Sequence, residues 1–210
     1  MFSEVRDHWY WRPGWRVGRS FYTWHLTFAD HPEAAELLAA YQPVIATMPG
    51  ITPVPLEWLH LTMQGVGFSD KVSADELAEI VEAARYRLAR IAPFTVTIGP
   101  AVVDPETVQL PVRPIQALQN LRDHVRAAIA DVWGPDSVPE HPELRPHISL
   151  GYFNTPGPAA PLRAQLSAIP PHTATLTISS VSLINLHRDN QMYEWTPTTT
   201  LKLPPDSSAG

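Results

Sequence analysis

Leu56-Glu57-Trp58-Leu59-His60-Leu61-Thr62-Met63 is matched downstream by Leu144-Arg145-Pro146-His147-Ile148-Ser149-Leu150, and the fold follows from reading the two together. Each stretch sets a histidine two residues before a hydroxyl inside an apolar run. Side chains alternate between faces along a β-strand, so His60 and Thr62 share one face, as do His147 and Ser149, while Leu59, Leu61, Ile148 and Leu150 turn into a core. Two such strands bring two imidazoles and two hydroxyls to one space. That is equipment for acid–base work on a phosphodiester, with one imidazole taking a proton, the other giving one, and the hydroxyls donating to phosphate oxygens.

Outward from the motifs, the elements fall in order. Phe21–Ala29 reads as a strand, Asp30 as an N-cap and Pro32 as the first turn of a helix reaching about Thr47. The first motif strand covers about Glu57–Gly67. Ser73-Ala74-Asp75-Glu76 is a capping box opening a helix to about Ile91, and Phe94–Ile98 is a short strand. The order then recurs: a strand at Thr107–Val112, a helix from Pro114 to about Val132, the second motif strand at Pro146–Phe153 and a helix near Ala159–Ala168. Strands follow within Ala174–Leu186 and Met192–Leu203, and 204–210 reads as a disordered tail.

His60 and His147 lie 87 residues apart, and the strands starting at Phe21 and Thr107 lie 86 apart. This near-constant offset predicts an internal duplication, with repeats at about 21–99 and 107–187 in one domain spanning 21–203. Two such halves pair about a pseudo-two-fold axis and set the motif strands on opposite sides of one cleft. A third His-x-Thr, His25-Leu26-Thr27, has no mate, because its offset position falls at Pro111 in Gln109-Leu110-Pro111. His25 is thus either a cleft-lining residue or a strand histidine satisfied within its sheet. Tyr152 falls on the opposite face from His147 and Ser149 in a regular strand, which keeps it out of the site.

Composition narrows the function classes. The chain has 210 residues, 44% of them hydrophobic, enough for a sizeable core. No cysteine is present, so disulfides, thiolate metal sites and cysteine nucleophiles are excluded, which suits a reducing, cytoplasmic setting. No apolar run approaches a membrane span, and no signal pattern opens the chain. The net charge of −6 argues against a broad surface for duplex DNA, whereas an RNA end or a small nucleotide needs only a few local cations. Residues 1–20 form a Trp- and Arg-rich arm with a Pro13-Gly14 turn. Its arginines (Arg12, Arg16, Arg19) read as solvated charges or a small cationic patch, and its tryptophans (Trp9, Trp11, Trp15) as cover for an apolar patch or as platforms for a base.

The passages Trp58-Leu59-His60-Leu61-Thr62 and Arg145-Pro146-His147-Ile148-Ser149-Leu150 resemble the paired His-x-Ser/Thr signatures of the two-histidine (2H) phosphoesterase superfamily, in particular its bacterial 2′-5′ RNA ligase and RNA 2′,3′-cyclic phosphodiesterase branch. The resemblance covers about Phe21–Leu203 and leaves the arm outside. It implies an α+β, bilobal fold, with two antiparallel sheets facing a central cleft and helices outside. It also implies catalysis by His60 and His147 with Thr62 and Ser149 on the phosphate, no metal and no cofactor, and action on 2′,3′-cyclic phosphate or 2′-5′ bonds, with RNA ligation as a related activity. A monomer acting on an RNA 3′ end or small nucleotide follows, or else a catalytically silent nucleotide-binding module on the same fold. Without the resemblance, alternating strands and helices suggest a parallel doubly wound sheet, but no Gly-rich phosphate loop follows the first strand. Zinc is the chemical rival for the histidines, yet the residues at their i+2 positions are hydroxyls, which are poor zinc ligands. A serine hydrolase lacks its Gly-x-Ser-x-Gly elbow.

Overall fold

The computed structural model describes residues 2–139 and 143–205. Its strands are β1 (Glu4–Val5), β2 (Phe21–Thr27), β3 (Ile51–Pro53), β4 (His60–Phe68), β5 (Phe94–Ile98), β6 (Val102–Val103), β7 (Thr107–Arg113), β8 (His147–Phe153), β9 (Gly157–Pro158), β10 (Ala174–Ile178), β11 (Ser180–His187) and β12 (Glu194–Lys202). The helices are α1 (Pro32–Ile45), α2 (Ala74–Leu88), α3 (Ile115–Trp133) and α4 (Ala159–Ser167). All strand pairings are antiparallel, in a first sheet of order β12-β11-β2-β4 and a second of order β10-β5-β7-β8-β3 with β6 on β7. The parallel alternative is thereby excluded, and the α+β, two-lobed architecture is the one observed.

The connections explain why the lobes form one unit. After α2 the chain enters β5, which joins β7 in the second sheet, whereas β11 returns to pair with β2 in the first. Each sheet is therefore built from strands of both sequence halves. The buried apolar side chains correspondingly form one cluster running through both sheets and under all four helices. Trp24 in this cluster is fully buried, a position where loss of the ring costs about 3–5 kcal/mol.

Local chemistry sets the helix ends. Ser73 accepts from the Glu76 amide while Glu76 reaches back to Ser73, so the capping box closes α2 as its residues predict. The start of α1 differs from expectation: His31, not Asp30, is the N-cap, no side chain caps it, and Pro32 supplies the first-turn geometry instead. Leu56–Trp58 forms a 3-10 turn, so the first motif strand starts at His60, later than predicted. Of the predicted tail 204–210, residues 206–210 lie outside the described residues. Among the described residues no helix is long and apolar enough to cross a membrane.

The arm packs as a strap across both lobes. β1 pairs with β9, Arg6 N–H donates to Pro105 O at 2.8 Å and His8 N–H to Phe153 O at 2.8 Å, all on the second lobe. Further along, Trp15 packs on Phe21 and Phe68, and Arg19 and Arg16 pair with Asp70, on the first lobe. The predicted turn falls at Gly14, whose φ of +86° and lack of a side chain let the strap lie on the Phe68 ring, 2.6 Å from where a Cβ would stand.

Candidate active site

β4 and β8 bring their motifs to a shared cavity of about 710 Å³, lined by His60, Thr62, His147 and Ser149 together with His25. All five candidate residues from the sequence thus meet in one space. The two histidines are held alike. Nδ1 of His60 donates to Trp58 O at 2.8 Å, and Nδ1 of His147 donates to Arg145 O at 2.8 Å. In each case the ring is tied to the carbonyl two residues back, which fixes its orientation and leaves Nε2 as the nitrogen available for chemistry.

Strand register adds a second symmetry. Opposite β2, the pairs Trp24–Gln64 and His25–Thr62 skip Met63; opposite β7, the pairs Val108–Gly151 and Gln109–Ser149 skip Leu150. Both motif strands therefore bulge immediately after the hydroxyl residue, with the extra side chain, Met63 or Leu150, fully buried. This overturns the placement of Tyr152 away from the site. The bulge advances the face by one residue, Tyr152 pairs with Thr107, and both line the cavity. Burial raises the pKa of the Tyr152 hydroxyl above the usual phenol range. A glycine inside a strand is a known bulge signal, and Gly151 carries it.

The register also corrects the search for a mate of His25. Its counterpart across the two motifs is Gln109, since each faces the hydroxyl residue of its motif strand. His25 Nε2 lies 3.2 Å from Thr62 Oγ1, and its ring stacks on His60 at 4.4 Å with an interplanar angle of 1°. Gln109 lines the cavity with its Oε1 accepting from Thr107 Oγ1 at 3.1 Å.

The two motif histidines differ in burial. His60 is only 9% exposed, edge-on to Trp195 at 5.3 Å, and burial, partly offset by its carbonyl bond, lowers its pKa to about 4. His147 is exposed to solvent. His25, fully enclosed, is pushed well below the ordinary histidine range, by burial and then by His60.

The strap supplies a wall that the motifs alone do not reveal: Arg6, His8, Tyr10, Arg12 and Trp15 all line the cavity. Glu106 gathers this wall, accepting from Arg6 at 2.9 Å, His8 Nδ1 at 3.0 Å and Arg12 at 3.0 Å. The Tyr193 hydroxyl donates to His8 Nε2 at 2.9 Å, so a neutral ring has both nitrogens satisfied. Burial, then the Arg12 charge, lowers the His8 pKa to about 3. The arm's arginines are accordingly paired rather than merely solvated. Trp9 is buried among His8, Tyr152 and Tyr193, so for this residue the reading as apolar cover holds. Among the described residues, no three His, Asp or Glu side chains converge at metal-binding spacing.

Comparison with known proteins places the chain in a family and matches its fold. The family model described as the 2′-5′ RNA ligase superfamily matches residues 46–190, well over half of the chain. A search of curated proteins gives no significant match. Among solved structures, TT0787 of Thermus thermophilus superposes with a TM-score of 0.67 at 21% identity, covering 89% of this chain and 99% of its own. Escherichia coli LigT complexed with 3′-AMP gives 0.61 at 18% identity, covering 88% and 98%. The MHV ns2 PDE domain gives 0.55 at 9% identity, covering 80% and 99%. At these identities the three structures speak for the fold.

Proposed function

The chain belongs to the 2′-5′ RNA ligase superfamily of 2H phosphoesterases, and we propose that it hydrolyses 2′,3′-cyclic phosphate or 2′-5′ phosphodiester bonds at an RNA end or in a small nucleotide. The observation that carries this is the matched pair of imidazoles, each fixed through Nδ1 on the carbonyl two residues back and each bordering one cavity. His60, kept neutral by burial, takes a proton from the attacking water through Nε2. His147, on the solvent-exposed side of the cavity, protonates the leaving ribose oxygen. One P–O bond forms to water oxygen, one P–O bond to the ribose breaks, and Thr62 and Ser149 donate to the non-bridging oxygens. The difference in burial favours this division into base and acid, which the sequence symmetry leaves open. LigT has been solved with 3′-AMP and with ATP, ligands of the class proposed here.

The decisive experiment incubates the protein with a nucleoside 2′,3′-cyclic monophosphate in EDTA and identifies the product. Turnover, unaffected by the chelator, supports the reading. Saturable binding without turnover would select the silent nucleotide-binding module instead. Thr62→Val and Ser149→Ala are each expected to lower kcat/KM by roughly 10- to 100-fold, since hydrogen bonds to charged groups contribute about 1.5–3 kcal/mol. Unchanged rates in both variants would remove the hydroxyls from the mechanism.

His25 acts in this scheme as a positioning residue. A neutral ring protonated on Nε2 donates to Thr62 Oγ1 and leaves the Thr62 proton free for phosphate. The buried Nδ1, which has no partner, is then a bare lone pair rather than a bare N–H, the less costly of the two. Since Gln109 stands at the matching place opposite Ser149, His25→Gln keeps a donor there and is expected to hold kcat within about 3-fold. His25→Leu, with no donor, is expected to lose roughly 2- to 10-fold in kcat with little change in KM. Equal losses in the two variants would reduce His25 to packing.

A further inference from the structure

We infer that the strap carries a nucleoside subsite centred on Tyr10 and closes one end of the cleft, so that the site accepts a terminal or single nucleotide and refuses a linkage in the interior of a strand. This rests on the activity proposed above and names which substrates it admits.

The strap crosses from the second lobe, where His8 N–H bonds Phe153 O, to the first, where Trp15 packs on Phe68. Between those anchors its side chains border the same cavity as both motif histidines. A polynucleotide threading the cleft would have to pass through this covalent bridge. The bridge is also firmly seated. Trp9 is buried beneath it, and Arg188, 4% exposed, donates to His8 O at 3.1 Å while its guanidinium lies 5.2 Å from the Trp9 ring. The strap precedes the first residue matched by the family model, and the solved relatives superpose over nearly their whole length while leaving about a tenth of this chain unmatched.

Within the strap, aromatic residues divide by role. Trp9 is buried and structural, whereas Tyr10 borders the cavity with 51% of its surface exposed. Its ring has the Arg12 guanidinium 5.2 Å from its centroid. An exposed ring on the cavity that holds both motif histidines matches a nucleoside phosphate: the base stacks on the ring, and beside it stands Arg12, held in place by its 3.0 Å bond to Glu106. Burial of the phenol is not needed for the fold, since half of it already faces water.

Two measurements test this independently. The first compares turnover of a nucleoside 2′,3′-cyclic monophosphate with that of a single 2′-5′ linkage flanked on both sides by several nucleotides. The interior linkage is expected to react at least 100-fold more slowly, and comparable rates would overturn the closed end. The second titrates nucleoside 2′-monophosphate and inorganic phosphate into the wild-type protein, Tyr10→Ala and Tyr10→Phe. Tyr10→Ala is expected to bind the nucleotide about 5- to 100-fold more weakly with phosphate affinity unchanged, and Tyr10→Phe to bind like wild type. Wild-type nucleotide affinity in Tyr10→Ala would overturn the subsite. If no substrate turns over at all, the hydrolytic reading fails, while the titration still decides for or against the subsite.

Discussion

Alanine at His147 is expected to lower kcat by about 10² to 10⁴ and to leave the melting temperature unchanged. The range is that of losing a general acid or base, and the stability follows from exposure, since the His147 ring contributes little buried surface. His60→Ala is expected to lose a similar factor in kcat but to melt earlier. Its ring is stacked on His25, edge-on to Trp195 and bonded to Trp58 O, so truncation leaves a cavity in an aromatic cluster and an unfilled carbonyl. His60→Gln, which retains a donor near Trp58 O, separates the two effects: its stability should recover while its rate stays low. Near-wild-type turnover in a folded His147→Ala or His60→Gln protein would remove that imidazole from catalysis.

Legibility in the sequence follows the range of the interactions involved. Period-two alternation places His60 with Thr62 and His147 with Ser149, and the capping residues Ser73 and Glu76 mark α2, because each depends on neighbours within a few positions. The exchange of β5 and β11 between sheets cannot be read that way, being a choice of partner across the whole chain. The bulges at Met63 and Leu150 are a matter of register against β2 and β7, and this is why alternation alone misplaces Tyr152 and passes over Gln109 as the counterpart of His25. Gly151, just past the skipped Leu150, is the local trace of that geometry in β8, whereas Gln64 holds the corresponding place in β4. The strap is visible in the sequence as composition only. Its position over the cleft depends on Glu106, one hundred residues from Arg6.

The same burial that keeps His60 neutral is expected to make the fold acid-labile. His8 and His60 have folded-state pKa values of about 3 and about 4, and His25 is likewise pushed down, all below the value near 6.5 that an unfolded histidine has. Between those limits the unfolded chain binds protons that the folded chain refuses. The stabilising contribution is therefore complete above about pH 6.5 and is lost as pH falls toward the folded values. His8 and His60 each remove roughly 1.4 kcal/mol per pH unit over this range, about 3 per unit together, with His25 acting in the same direction, against a typical total of about 5–15 kcal/mol. Unfolding is expected between about pH 4 and 5.5, monitored by tryptophan fluorescence, with a slope steeper than one proton gives. His25→Gln should move the midpoint lower by removing one of the three groups. On the acid side kcat/KM should then fall with the fold rather than ahead of it, because His60 titrates only near the point where the protein unfolds. Loss of activity between pH 6 and 7 in a protein still fully folded would show that His60 takes up its proton as a solvent-exposed histidine does, and would return the roles of base and acid to the two histidines as equals.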